Sequence, residues 1–206
     1  MQAGARRADR DRGHGGRPLD LDTAQRLVDE LAVEHPVLVR ETVPRRISLA
    51  GLADQLTLLA EDDIGEDQLF AVLEAVAREP EDLPAEELNQ RIRRRLAPTI
   101  TANLVGDADT LDVAVLDDGL EHVLVDGIST TATGTRLALP LELTERVASQ
   151  CAAAIAGLPK PVLVVHPRVR RALRQLLAAA AVSAAVLGHG ELESHVRVRV
   201  AARVEA

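Results

Sequence analysis

The sequence predicts an α+β protein, with a helical N-terminal half followed by a smaller α/β half. Apolar residues recur at helical spacing from Leu19 onward, short β-rich runs alternate with helical stretches further along, and the last segment alternates Val with Arg. These changes of pattern predict a disordered tail over residues 1–17, a helical subdomain over 18–106 and an α/β subdomain over 107–206.

The N-terminal tail and the first helices are predicted from composition and capping residues. Residues 1–17 hold Gly and Arg without apolar periodicity, so they cannot bury enough surface to order themselves. Asp20 and Asp22 are possible caps of a first helix that ends near Glu34. Its inward face is predicted to hold Ala24, Leu27, Val28 and Leu31. A second helix is predicted to begin at Pro36 and to end before Pro44.

The next helices follow the same logic. Ser48 is a good N-cap for a helix whose apolar face holds Leu49, Leu52, Ala53, Leu56 and Leu59. After a turn at residues 62–65, a helix over about 66–78 is predicted. Its inward residues are predicted to be Leu69, Phe70, Leu73, Val76 and Ala77. A further helix is predicted to start near Pro84 and to continue without a break to about Ile100.

Beyond residue 107, strands and helices are predicted to alternate in a mostly parallel sheet. The strands are 111–116, 161–165 and 184–187, and the helices are 117–126, 140–156 and 167–181. The final alternation of Val with Arg predicts an edge strand with one buried face. Its other face is predicted to expose Arg197, Arg199 and Arg203 to water, which discourages edge-to-edge aggregation.

Composition narrows the function classes. The 206 residues are 47% apolar and 27% charged, which suits an ordinary globular core. Phe70 is the one residue among Phe, Tyr and Trp, so no aromatic surface is available for stacking nucleobases or sugars. The formal charge of −8 disfavours a general nucleic-acid binder.

Cysteine content and hydropathy predict a cytoplasmic location. Cys151 is the single cysteine, so intramolecular disulfides and cysteine zinc clusters are excluded and a reducing compartment fits best. The most apolar stretch, residues 176–187, is far shorter than the roughly 20 residues that span a bilayer. No secretory signal is recognised at the N-terminus, and the Met1 start with its tail favours a self-contained chain.

Six segments resemble the FHIPEP family, the major export-gate proteins of flagellar and virulence type III secretion, and they occur in the family's order. They are "VPRRISL" (43–49), "LFAVLEAVA" (69–77), "IRRRLAPTI" (92–100), "VLDDGLEHVL" (115–124), "PVLVVHPRVRRALRQLL" (161–177) and "VLGHGEL" (186–192).

The resemblance implies the later part of a cytoplasmic region that has four subdomains in the family and assembles as a nine-membered ring. This chain resembles the helical second portion, the small winged-helix-like third and the α/β fourth, without the transmembrane part. Arg93 stands at the family's usual arginine position, and Glu74 and Glu191 at its usual glutamates. Where the family usually reads Asp-Leu-Arg-Thr, this chain has Gln68-Leu69-Phe70-Ala71 and lacks the polar Asp and Arg. The family's chaperone-docking cleft depends largely on subdomains that are absent or shortened here, so chaperone docking is not carried over.

No catalytic, cofactor-binding or metal-ligating residue is predicted. The chain has no glycine-rich phosphate loop, and neither Ser149 nor Cys151 has the surroundings of a nucleophile. His189 and His195 flank Glu191 and Glu193, but a metal site needs three or four converging ligands, and a loop histidine is the better interpretation. The acidic runs at 61–67 and 79–87 are interpreted as solvated helix starts.

The candidate site is a protein-contact surface formed by Arg91, Arg94 and Arg95. These residues share one helix face by the i, i+3, i+4 rule. That face could meet another subunit's acidic surface, DNA phosphates or solvent, and subunit contact is favoured because the chain carries acidic runs that a ring partner could offer.

The leading hypothesis is a non-enzymatic component of the export gate, or a relative of one, acting as a docking and oligomerisation platform without any cofactor. Its expected partners are copies of itself and other secretion-apparatus proteins. Membrane association is expected through a partner alone. The alternative is a DNA-binding regulator that uses the helical half. An α/β enzyme is a third hypothesis, for which the sequence offers no motif.

Overall fold

A computed structural model describes residues 19–62, 64–106, 108, 110–131 and 134–205. The described residues form two compact units, one ending at Ala85 and the other beginning at Glu86. The α+β class predicted from the sequence is confirmed: helices precede a parallel sheet with helices packed on it. The predicted tail over residues 1–17 lies outside the described residues.

The first unit is helical. Its helices are α1 (Leu21–Glu34), α2 (Pro36–Thr42), α3 (Leu49–Ala60) and α4 (Leu69–Arg78), with a 3-10 turn at Glu66–Gln68 before α4. The predicted caps are in place. Asp20 accepts a hydrogen bond from the backbone N of Thr23 at 2.7 Å, and Ser48 accepts one from Gly51 N at 3.0 Å. Pro36 begins α2, where its missing N–H costs no helical bond.

The core of the first unit is built from one face of each longer helix. Its fully buried side chains include Ala24, Val28, Leu52, Leu56, Leu59, Leu69, Val72, Leu73 and Val76. The prediction that Phe70 faces inward was wrong, because the buried stripe of α4 follows 69, 72, 73 and 76 and places Phe70 about 100° away from Leu69. Phe70 is 38% exposed, and its ring lies 4.5 Å from that of His35.

The second unit begins with two helices and continues as an α/β layer. The helices are α5 (Ala85–Arg95), α6 (Ala97–Val105), α7 (Asp118–Asp126), α8 (Leu141–Ile155) and α9 (Pro167–Ala179). The strands are β1 (Thr110–Leu116), β2 (Ile128–Thr131), β3 (Gly134–Leu137), β4 (Val162–Val165), β5 (Ala185–Gly188) and β6 (Arg197–Val204). The predicted continuous helix up to Ile100 is two helices, since the α-helix ends at Arg95 and restarts at Ala97 with Pro98 in its first turn.

Four strands of the described residues form one parallel sheet in the order β5-β4-β1-β6, so β6 is an edge strand as predicted. Strands β2 and β3 form a separate antiparallel hairpin, which the sequence patterns did not predict. One face of the parallel sheet is covered by α7, α8 and α9. Their buried residues, including Leu120, Leu124, Val147, Ile155, Leu173 and Leu177, pack on Ala114, Leu116, Leu163 and Val165.

The prediction that β6 buries one of its two faces was wrong. Its buried residue is Val204 at the C-terminal end, whereas Val198 is 44% exposed and Val200 is 53% exposed. Side chains project from the two faces of a sheet, so alternation of Val with Arg buries the valines only where another element packs over their face.

No helix within the described residues is both long enough and apolar enough to cross a membrane.

Burial explains the chemistry expected of Cys151, which lies in the middle of α8 with no exposed surface. Desolvation raises the pKa of its thiol to about 11. Because the thiolate is the nucleophile, we expect iodoacetamide at pH 8 to label the folded protein slowly and the urea-unfolded protein completely. Mass spectrometry measures the labelled fraction, and labelling of the folded protein as fast as in urea would contradict burial.

The raised pKa of Cys151 also predicts a pH dependence of stability. The free energy of unfolding should fall as pH rises from the ordinary thiol pKa towards 11, because the Cys151 thiol loses its proton first in the unfolded chain.

Candidate protein-contact surface on helix α5

Helix α5 carries the predicted arginine cluster, and its orientation is set by the residues that it buries. Asn89, Ile92 and Arg93 are buried, and Leu96 and Ala97 continue the buried stripe into α6. Arg93 is only 1% exposed. A buried guanidinium is costly unless a carboxylate and further hydrogen bonds compensate it.

Glu191 supplies that compensation. It follows β5 in a turn in which its backbone N donates to Gly188 O at 3.0 Å. Arg93 Nε donates to Glu191 Oε1 at 3.0 Å, and its Nη2 donates to Oε2 at 2.6 Å. This bidentate geometry is the strongest form of an arginine–carboxylate pair. Glu191 is itself 2% exposed, so the pair is shielded from water and salt.

A second buried arginine joins the pair from α9. Arg170 is 2% exposed, and its Nε lies 3.5 Å from Glu191 Oε1. Its Nη2 donates to Asn89 Oδ1 at 3.2 Å. One carboxylate is therefore shared by two guanidiniums, and α5, α9 and the turn after β5 are joined by one network.

This network determines which arginines of α5 reach the surface. With Arg93 turned inward, Arg94 and Arg95 are exposed on the opposite side of the helix. The stem of Arg94 passes close to Gly190, where an added Cβ would lie 3.2 Å from Arg94 Cδ. Arg91 is half-buried and is held by Glu87, to which its Nε and Nη2 donate at 3.2 and 2.7 Å.

The predicted surface thus consists of two exposed residues, Arg94 and Arg95, and the half-buried Arg91, which pairs with Glu87. At the N-terminal end of α5, Glu86 pairs with Arg171 of α9 at 3.4 Å, so this part of the helix is also held against the α/β layer. That Arg91, Arg94 and Arg95 bind a protein remains a prediction.

A second group of arginines lies on β6. Arg199 donates to both carboxylate oxygens of Asp112 on β1, through Nε at 2.6 Å and Nη2 at 2.5 Å. These hydrogen bonds lower the pKa of Asp112 and raise the pKa of Arg199. Arg197 and Arg203 are exposed on the same strand.

The histidines considered as metal ligands have separate surroundings. Glu191 belongs to the buried network, while His195 Nδ1 lies 3.8 Å from Glu193 and His189 Nε2 lies 3.5 Å from Glu121. Within the residues that the structure describes, no three or more His, Cys, Asp and Glu side chains are grouped closely enough to hold a metal ion. Ser149 is exposed on α8, two residues before the buried Cys151.

Sequence reasoning missed the buried network, although a signal for it was present. Arg170 falls on the stripe of α9 that also holds Leu173 and Leu177, and Arg93 follows Ile92 on the buried side of α5. A charged residue within an apolar stripe indicates a buried partner. Glu191 had been recognised as a matching family position, without Arg93 as its partner.

Comparison with known proteins finds similarity over most of the chain, both to a protein family and to individual proteins. The model of the FHIPEP family matches residues 12–197. The flagellar biosynthesis protein FlhA of Bacillus subtilis is 26% identical over 191 residues, covering 90% of this chain and 28% of that protein. The low calcium response locus protein D of Yersinia pestis is 24% identical, covering 90% of this chain and 27% of that protein.

Two solved structures show the same fold. The CdsV protein of Chlamydia pneumoniae has a TM-score of 0.82 at 23% identity, covering 90% of this chain and 55% of that chain. The nonameric SctV-C of EPEC has a TM-score of 0.82 at 20% identity, covering 90% of this chain and 57% of that chain. The chain therefore spans little more than a quarter of its curated relatives and over half of these solved domains.

The shared carboxylate gives a test of the network. Glu191→Gln keeps the size of the side chain but removes the carboxylate that two buried guanidiniums share, so we expect a loss of roughly 3–5 kcal/mol in the free energy of unfolding. Glu87→Gln is the matched control, because it breaks a partly exposed i, i+4 pair worth about 0.3–0.5 kcal/mol. Urea unfolding measures the free energy of unfolding of both variants. Equal midpoints for the two variants would show that the network does not stabilise this unit.

Proposed function

The chain belongs to the FHIPEP family, and we propose that it acts on the cytoplasmic side of a type III or flagellar export gate, or of a related apparatus, as a non-enzymatic docking and oligomerisation platform. The observation that carries the proposal is the family match over residues 12–197, which confirms the resemblance predicted from six segments. The chain spans only part of its relatives' length, so the proposal does not extend to the activity of the whole relative.

Known structures of relatives support self-association as the first activity to test. SctV-C of EPEC and the EscV cytosolic domain are nonameric, and CdsV of Chlamydia pneumoniae forms a complex with CdsO. We therefore propose that this chain contacts copies of itself and another component of a secretion apparatus.

Charge supports the α5 surface as one side of such a contact. Arg94 and Arg95 are exposed and lie next to each other at the C-terminal end of α5. Glu66 and Asp67 are exposed in the turn before α4, and Glu81 and Asp82 are exposed between α4 and α5. A second copy thus offers carboxylates that the arginines can meet, and complementary charges speed association and exclude wrong partners.

The DNA-binding alternative has less support. Duplex binding at physiological salt depends on many phosphate contacts, and each contributes to a steep salt dependence. In the described part of α5, Arg93 is buried and Arg91 is held by Glu87, which leaves Arg94 and Arg95 as the exposed arginines of that helix.

Charge reversal tests the α5 surface. We expect the wild-type chain to self-associate in sedimentation-velocity ultracentrifugation, and we expect Arg94→Glu with Arg95→Glu to shift it to monomer at the same concentration, because like charges would then meet across the contact. Raising salt should weaken the wild-type assembly, since exposed charges are screened.

The control exchanges two other exposed arginines of the second unit, Arg136→Glu with Arg168→Glu, which changes net charge equally. Association that survives in the control and is lost in the α5 variant supports the proposal. A wild-type chain that stays monomeric at high concentration and binds no secretion-apparatus protein in a pull-down would refute it.

A further inference from the structure

The outer edge of β6 is a second surface with the properties of a binding site. Among the described residues, β6 pairs with β1 and with no other strand, so the backbone groups along its other edge have no strand partner. Val198 and Val200 are exposed on this strand. An open edge with exposed apolar side chains is a template for the addition of another strand.

The register shows that these valines extend a buried apolar face. Val198 lies opposite Leu111 and Val200 opposite Val113, and both β1 residues are buried. Paired residues on neighbouring strands point to the same face of a sheet. The apolar face of β1 therefore continues onto β6, where it becomes accessible.

The same face ends in a positive charge. The register shifts by one residue between Val113 and Ala114, so that Arg203 lies opposite Val115. This irregularity places Arg203 on the face that holds Val198 and Val200, because each step of one residue moves a side chain to the other face. Arg197 and Arg199 are exposed on the opposite face.

A groove lies at the N-terminal end of the exposed apolar face of β6. It has a volume of about 350 Å³ and is lined by Pro98, Thr101, Ala102 and Val105 of α6 together with Val196, which precedes β6 by one residue. The groove offers room for a larger apolar side chain at one end of an added strand.

Charge argues against a second copy of β6 as the occupant. Antiparallel pairing of two β6 strands would bring Arg197, Arg199 and Arg203 of each copy close to those of the other, and like charges across a strand pair are destabilising. Glutamate or aspartate in the added strand would instead face arginines.

We propose that β6 binds an extended, acidic segment of a partner protein by strand addition, with alternate apolar side chains against Val198 and Val200 and the intervening acidic side chains next to Arg197 and Arg199. This surface is independent of the arginines of α5. Most of β6 also lies beyond the family match, which ends at residue 197, so the proposal rests on the residues of this chain.

A labelled synthetic peptide of alternating valine and glutamate tests the proposal with the full chain. We expect saturable binding in fluorescence anisotropy, and Val198→Asp should weaken it about tenfold or more, because an apolar contact is replaced by a carboxylate against an apolar side chain. Val123→Asp is the matched control, since Val123 is 42% exposed on α7, compared with 44% for Val198. Arg197→Glu should weaken binding of the same peptide, because Arg197 lies on the face that the glutamates would occupy, and a peptide of alternating valine and lysine should not bind.

Hydrogen exchange identifies where the peptide lies. Slower amide exchange in residues 197–204 on peptide addition supports strand addition. No saturable signal up to about 1 mM, equal weakening by Val198→Asp and Val123→Asp, or protection elsewhere would overturn the proposal. Dimerisation of the chain that is abolished by Val198→Asp would also overturn it, in favour of a second copy. Unchanged peptide binding by the Arg94→Glu, Arg95→Glu variant would separate this surface from the proposed platform.

Discussion

The buried pair of Arg93 and Glu191 holds α5 in one orientation against the α/β layer. Arg93 lies on a helix that precedes the sheet, whereas Glu191 follows β5, so residues 98 positions apart meet in a buried site. Arg170 and Asn89 complete the network from α9 and α5. Replacing Glu191 would remove the carboxylate that both buried guanidiniums share, so this residue is costly to change.

A buried ion pair is weak evidence for net stability, because desolvation offsets much of the Coulomb attraction. Its contribution here is better described as orientation. An apolar side chain in place of Arg93 could tolerate a small rotation of α5, whereas a bidentate guanidinium–carboxylate pair fixes angle and distance together. The exposure of Arg94 and Arg95 follows from that orientation.

Local signals were sufficient to predict most elements of the fold. The caps Asp20 and Ser48, the prolines that begin helices, and the apolar runs at β1 and β4 depend on neighbours in the sequence. The failures depend on distant partners. Phe70 and Val198 are apolar residues at plausible inward positions, but both remain partly exposed, at 38% and 44%. The partner of Arg93 could not be predicted from spacing, because tertiary packing brings Glu191 to it.

The distribution of charge constrains the symmetry of any assembly formed through α5. An isologous contact places the same patch of two copies face to face, so near its two-fold axis Arg94 and Arg95 would meet their own equivalents and repel. A heterologous contact places different patches together, and the exposed carboxylates at Glu66, Asp67, Glu81 and Asp82 supply the opposite sign. Heterologous contacts produce closed rings when the rotation between subunits closes, and filaments when it does not. A contact made through these arginines therefore favours a ring of more than two subunits, or an open filament, over a two-fold dimer.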